Sequence, residues 1–188
     1  PTISPEFVLD QIRTTMLDDL NGATFEPHPN LFAEDNRWLN QQTSLGSILS
    51  ITMINDGSVI CIQSSPSSWT LATITDPRNF THPVSGNRKF GFESNADGSY
   101  TFYTRGVDRI TGMLDNGVRA LGEFALEIDL MNEANIVWES FQDIIKTYVE
   151  DMGGSASIIE GNYERPDYDK VEDVLSGTLP VSEFEDCK

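Results

Sequence analysis

Two kinds of apolar spacing divide this chain. Residues 5–20 place Phe7, Val8, Ile12, Met16, Leu17 and Leu20 at helical intervals. Ser4 stands where a cap belongs, Pro5 takes the first helical position, and Asn21-Gly22 supplies a stop. Residues 21–44 lack a period. Within them His28 lies between Pro27 and Pro29, so it reads as a structural residue in an extended or turn segment. From residue 45 strict alternation takes over. SILSITMI, the turn Asn55-Asp56-Gly57 and SVICIQ form a β-hairpin over 45–63. WTLATIT, Trp69–Thr75, is a third strand ended by Asp76-Pro77.

A second hairpin follows. KFGFE (Lys89–Glu93) and SYTFYT (Ser99–Thr104) flank Asn95-Ala96-Asp97-Gly98, where Gly98 can take a positive φ. With the turn at 95–98 the pairing puts Arg88 opposite Arg105. Gly91 inside the first strand marks a bulge or a close backbone approach. Helical spacing returns over 118–152, where Val137, Phe141, Ile144, Ile145, Tyr148, Val149 and Met152 share a face and Gly153-Gly154 closes it. Residues 121–131 fit a strand or a helix by spacing and read as helix by composition. Ser155–Ile159 reads as a short strand and Asp167–Leu175 as a short acidic helix ended near Gly177. The acidic tail 176–188 is expected to fray.

These elements predict one α+β domain over 1–188. An antiparallel sheet of about five strands, residues 45–105, packs against a long C-terminal helix, with the 5–20 helix alongside. At 188 residues the chain can bury roughly 70% of the surface its unfolded form exposes. Ten Phe, five Tyr and three Trp supply a core and argue against disorder. No apolar run approaches the ~20 residues of a membrane span.

Charge then singles out one region. The chain carries 30 acids against 12 bases, a net charge of −18. Residues 78–119 hold six of those bases, Arg78, Arg88, Lys89, Arg105, Arg109 and Arg119, against four acids, so this window is positive. The overall field disfavours nucleic acid and anionic membranes as partners. Candidate chemistry concentrates in the same window. His82, held extended by Pro83, begins a loop, Thr81–Arg88, rich in turn residues. Tyr103, Arg105, Asp108 and Arg109 lie at the end of the returning strand. If these side chains converge, Arg88, Arg105, Arg109 and Tyr103 bind an anionic group while His82 and Asp108 handle a proton. The opposing reading is a structural ion-pair network in which Asp108 and Glu93 satisfy the arginines.

Other chemistry is poorly represented. Ser85 in VSGN lacks the GxSxG setting of a hydrolase nucleophile. Phosphate-loop, dinucleotide, zinc-protease and calcium-loop patterns are missing, so neither metal nor cofactor is expected. The acids Glu164, Asp167, Asp169, Glu172 and Asp173 read as a solvated face rather than a cation site. Cys61 reads as a buried apolar residue, and a bond to Cys187 requires the tail to fold back. Asn79-Phe80-Thr81 is a formal glycosylation triplet.

Through THPVSGNRKFGF and SYTFYTRGVDR the chain resembles a domain of the C-terminal parts of large bacterial secreted and polymorphic-toxin-like proteins. The resemblance covers about thirty residues on these two motifs and continues through Trp138 and Gly153-Gly154. It implies context rather than catalytic roles. The expected setting is a module released as part of a longer polypeptide, as a start at Pro1 also implies, and secreted or delivered by a bacterial secretion system. The alternative setting is cytoplasmic. The expected function is a secreted effector or toxin-type domain with an anion-binding site around His82, Arg88 and Arg105; the alternative is an acidic immunity or inhibitor protein that masks a basic partner. The partner is accordingly an anionic small molecule or a protein, the latter within a toxin–immunity pair.

Overall fold

A computed structural model describes residues 3–15, 20, 23–28, 36–52, 56–80, 82, 84–110, 123–164 and 167–184. The chain divides into two compact units, Pro1–Ile158 and Ile159–Lys188. The first unit is α+β. It begins with helix α1, Pro5–Thr15, whose cap is built as its sequence indicates: Ser4 Oγ accepts from Phe7 N at 3.2 Å. Six strands follow: β1 Thr24–Pro27, β2 Ile48–Thr52, β3 Gly57–Ser65, β4 Ser68–Ile74, β5 Val84–Ser94 and β6 Tyr100–Ile110. They form one antiparallel sheet in the order β1-β2-β3-β4-β5-β6, each strand beside its neighbour in sequence. Helix α2, Glu123–Asp151, completes this unit, with side chains described from residue 134.

Register assigns the two faces. Phe25, Ile51, Leu49, Val59, Cys61, Leu71, Trp69 and Phe90 are linked across successive strand pairs and share one face. All are buried, and Val8, Leu9 and Ile12 of α1 join Val137 and Phe141 of α2 in the same core. Aromatic rings tie these layers together. Trp69 stacks on Phe90 at 5.2 Å and meets Trp38 edge-on at 5.9 Å. Phe90 in turn receives Phe141 at 5.3 Å and Trp138 at 5.6 Å, both edge-on. Such contacts add to the area the rings bury.

Several local expectations change. The sheet has six strands and spans 24–110, because β1, absent from the predicted sheet, pairs with β2. Residues 84–88 are strand rather than loop: β5 begins at Val84 and runs between β4 and β6. The expected strand at 155–159 is irregular chain. Residues 123–131, ambiguous by spacing, are helical. Gly91 carries no bulge, since β5 pairs with β6 in unbroken register; a Cβ there would lie 2.7 Å from Ser67 O, so close backbone approach explains it. The irregularity falls instead in β3, between Cys61 and Gln63. Asn21-Gly22, Asn55, Thr81, Pro83, residues 118–122 and Cys187 lie outside the described residues. Cys61 is buried and unbridged.

The second unit contains α3, Tyr168–Leu175, and a short 3-10 turn, Val181–Phe184. Asp167 caps α3, its carboxylate accepting from Asp169 N and Lys170 N, and Gly177 ends it at φ 79°. No helix among the described residues is long and apolar enough to cross a membrane.

Candidate functional site

The residues singled out by charge divide between the two faces of the β5–β6 hairpin. A five-residue loop, closed by Asn95 N donating to Ser99 O at 2.8 Å, sets Arg88 opposite Gly106 and Lys89 opposite Arg105. Arg88 and Arg105 therefore do not face each other. Alternation sends Arg88 and Asp108 toward the helices and Tyr103, Arg105 and Arg109 to the other side.

On the helix-facing side Arg88 is enclosed. Its Nη2 donates to Asp108 Oδ2 at 2.6 Å, and its Cζ sits 4.3 Å from the Trp138 ring centroid. Gly106 makes the space, since a Cβ there would approach the guanidinium carbon to 2.7 Å. The side chains of Arg88 and Asp108 are 18% and 23% exposed. His82 lies against Gly57, where a Cβ would come within 2.2 Å of the imidazole Cδ2. Its Nδ1 accepts from Val84 N at 3.0 Å, an arrangement that fixes the neutral tautomer with the proton on Nε2. Burial holds the His82 pKa below its ordinary value, while the Asp108 carboxylate pulls the other way. So of the six candidates the fold pairs Arg88 with Asp108, and the charge of that committed carboxylate reaches His82.

On the opposite face Arg105 lies over Tyr103, its Cζ 4.0 Å from the ring centroid. It holds Glu93 through both oxygens, at 2.8 and 3.1 Å. These hydrogen bonds push the Glu93 carboxyl down and the Arg105 guanidinium up. Arg109 is exposed opposite Ser85 and has no ion pair among the described residues. Because Arg105 and Glu93 are 59% and 52% exposed, their pair is a solvated one. Arg105→Ala is expected to keep the melting temperature within a few degrees of the parent by differential scanning calorimetry. A larger drop would make Arg105 part of the folding core.

A second polar cluster was not legible in the sequence. Asp76, just past β4, accepts from Arg78 N at 2.7 Å and Asn79 N at 3.1 Å. Asn79 Nδ2 donates to Ser58 Oγ at 2.9 Å, Gly57 O at 3.1 Å and Ser50 Oγ at 3.4 Å. His28 Nε2 comes within 3.5 Å of Asp76 Oδ1. Burial pushes the Asp76 carboxyl up, but hydrogen bonds from Ser58 and the two amides, with His28 nearby, leave it below its ordinary value. The only trace in sequence was the isolated His28 and the Asp76-Pro77 strand end. The engaged amide of Asn79 is not presented for glycosylation in the folded chain.

No family model, no curated protein and no solved structure matches this chain. Among the described residues no group of three His, Cys, Asp or Glu side chains is placed to hold a metal.

Proposed function

We propose that the chain is an acidic binding protein of the immunity or inhibitor type, which masks a basic protein partner. One observation carries this choice. The two arginines at the heart of the basic window are closed by internal carboxylates on opposite faces, Arg88 by Asp108 and Arg105 by Glu93. Those two guanidinium charges are thereby engaged within the protein, and the chain as a whole meets a partner with a net charge of −18. An acidic surface of this kind speeds encounter with a basic protein and rejects like-charged ones.

The test is complex formation between the full chain and the basic product of a neighbouring gene, followed by surface plasmon resonance across a salt series. Association is expected to slow steeply as ionic strength rises, because screening shortens the reach of surface charge. Binding that is unchanged at high salt would rule the masking role out.

A second reading is favoured by the Arg88–Asp108 pair and by His82, a part-buried imidazole that feels the Asp108 charge. In it the chain is an effector or toxin-type domain, carried in a longer secreted polypeptide, that binds an anionic group beside these residues. The Asp108 carboxylate already fills the guanidinium of Arg88, so a ligand would have to displace it. That competition ranks this reading second.

A further inference from the structure

Phe80 is the one described residue other than glycine with left-handed backbone, at φ 56°, and it is 71% exposed. Neither feature favours folding. A bulky side chain is disfavoured in this region of backbone space, and an exposed ring leaves apolar area in water. Glycine would occupy the position without strain.

The turn is nonetheless fixed from several sides. Phe80 N donates to Asp76 O at 2.9 Å, and Asp76 N donates to Phe80 O at 3.2 Å. The Asp76 carboxylate collects two further amides of the turn. Asn79 reaches into β2 and β3 through Ser50, Ser58 and Gly57. Alongside the turn His28 Nε2 comes within 3.5 Å of Asp76 Oδ1. The fold thus tolerates a strained, exposed aromatic to keep one shape. Strain held by an over-determined surround clusters at functional positions. A ring on a rigid turn offers a partner large apolar area with little side-chain entropy left to lose.

We infer that the 76–80 turn is the anchor by which this chain grips its partner, with Phe80 entering an apolar pocket set in basic surroundings. The charge of the occupant follows from the chain and from the rim. The chain is strongly acidic, and exposed Glu26 and Asp56 stand next to the turn by register: Glu26 pairs with Ser50, and Asp56 precedes Gly57. Arg78 is the exposed cation of the turn, so carboxylates outnumber it at the rim. A second copy of the chain, equally acidic, is a poor occupant. The inference rests on the binding role proposed above and names the residue that executes it.

Phe80→Gly in the full chain tests it in two measurements. The first is thermal melting. The variant is expected to melt at the same temperature or higher, since glycine accepts the backbone and the lost ring was in water. A drop of several degrees would make Phe80 a structural residue and overturn the inference. The second is an NMR titration of the 15N-labelled chain with a synthetic amphipathic Leu/Lys helical peptide, a probe that is basic and has an apolar face. Amide shifts are expected to centre on 76–80, Glu26 and Asp56, and the variant should bind more weakly by more than about tenfold. If the parent chain fails to bind the peptide at low salt, both the binding role and the anchor fall. If the variant binds as tightly with the same salt dependence, the binding role stands and the anchor alone is overturned.

Discussion

Phe90→Ala is expected to lower the free energy of unfolding by about 3–5 kcal/mol, measured as a shift of the urea midpoint with the slope unchanged. Phe90 is 1% exposed and stands at the crossing of both layers. It stacks on Trp69 from the neighbouring strand and takes Trp138 and Phe141 of α2 edge-on. Removing the ring deletes these contacts and opens a hole between sheet and helix that large neighbouring rings cannot close without leaving their rotamers. Domains of this size are stable by only about 5–15 kcal/mol, so the loss is a large share of the total. Phe90→Leu keeps most of the volume and is expected to cost less than half as much. Equal midpoints for Phe90→Ala and the parent would mean that α2 does not bury this face of the sheet.

The importance of Phe90 was foreshadowed in KFGFE, where alternation alone gave a strand. Elements with strong periods, such as the first hairpin, β4 and the 137–151 part of α2, were legible for the same reason: burial on one face leaves a regular mark. Two kinds of element were not. β1 is four residues long and ends in a proline, too short to carry a period, and it forms by pairing with β2. The start of β5 is written in Ser85, Gly86 and Asn87, residues with turn chemistry. Pairing to β4 and β6 on both sides overrides that local preference. Gly86 even has a sheet role, since a Cβ there would lie 2.2 Å from Val107 O.

One residue of loop length separates the expected β5–β6 pairing from the observed one. A four-residue turn at 95–98 would pair Ser94 with Ser99 and set Arg88 beside Arg105. The actual loop contains five residues and pairs Ser94 with Tyr100. Because side chains alternate, a slip of one moves every side chain of β6 to the other face relative to β5. Loop length was thus the detail that decided whether the arginines met, and Asn-Ala-Asp-Gly-Ser is compatible with either closure. The ion-pair alternative survived the slip, because Asp108 and Glu93 each found an arginine on their own face.

That alternative makes a second sharp prediction, for the pair Arg88–Asp108. Asp108→Ala is expected to cost about 2 kcal/mol, since it leaves a guanidinium pressed between Trp138 and Gly106 without its carboxylate. The figure lies below the 3–5 kcal/mol of a fully buried pair because both side chains keep some contact with water. Arg88→Met should cost about half as much: it fills the same space, leaves no cation behind, and the orphaned carboxylate can turn to solvent. In the double variant the two losses should fall short of additivity by about 1 kcal/mol, the coupling of a contacting pair. Urea midpoints of the four proteins complete the cycle. If Asp108→Ala unfolds at the parental midpoint, the guanidinium is not confined as described, and Arg88 becomes free to hold an anionic ligand. That result would reverse the ranking of the two functions, because the masking role draws its support from Arg88 being already engaged.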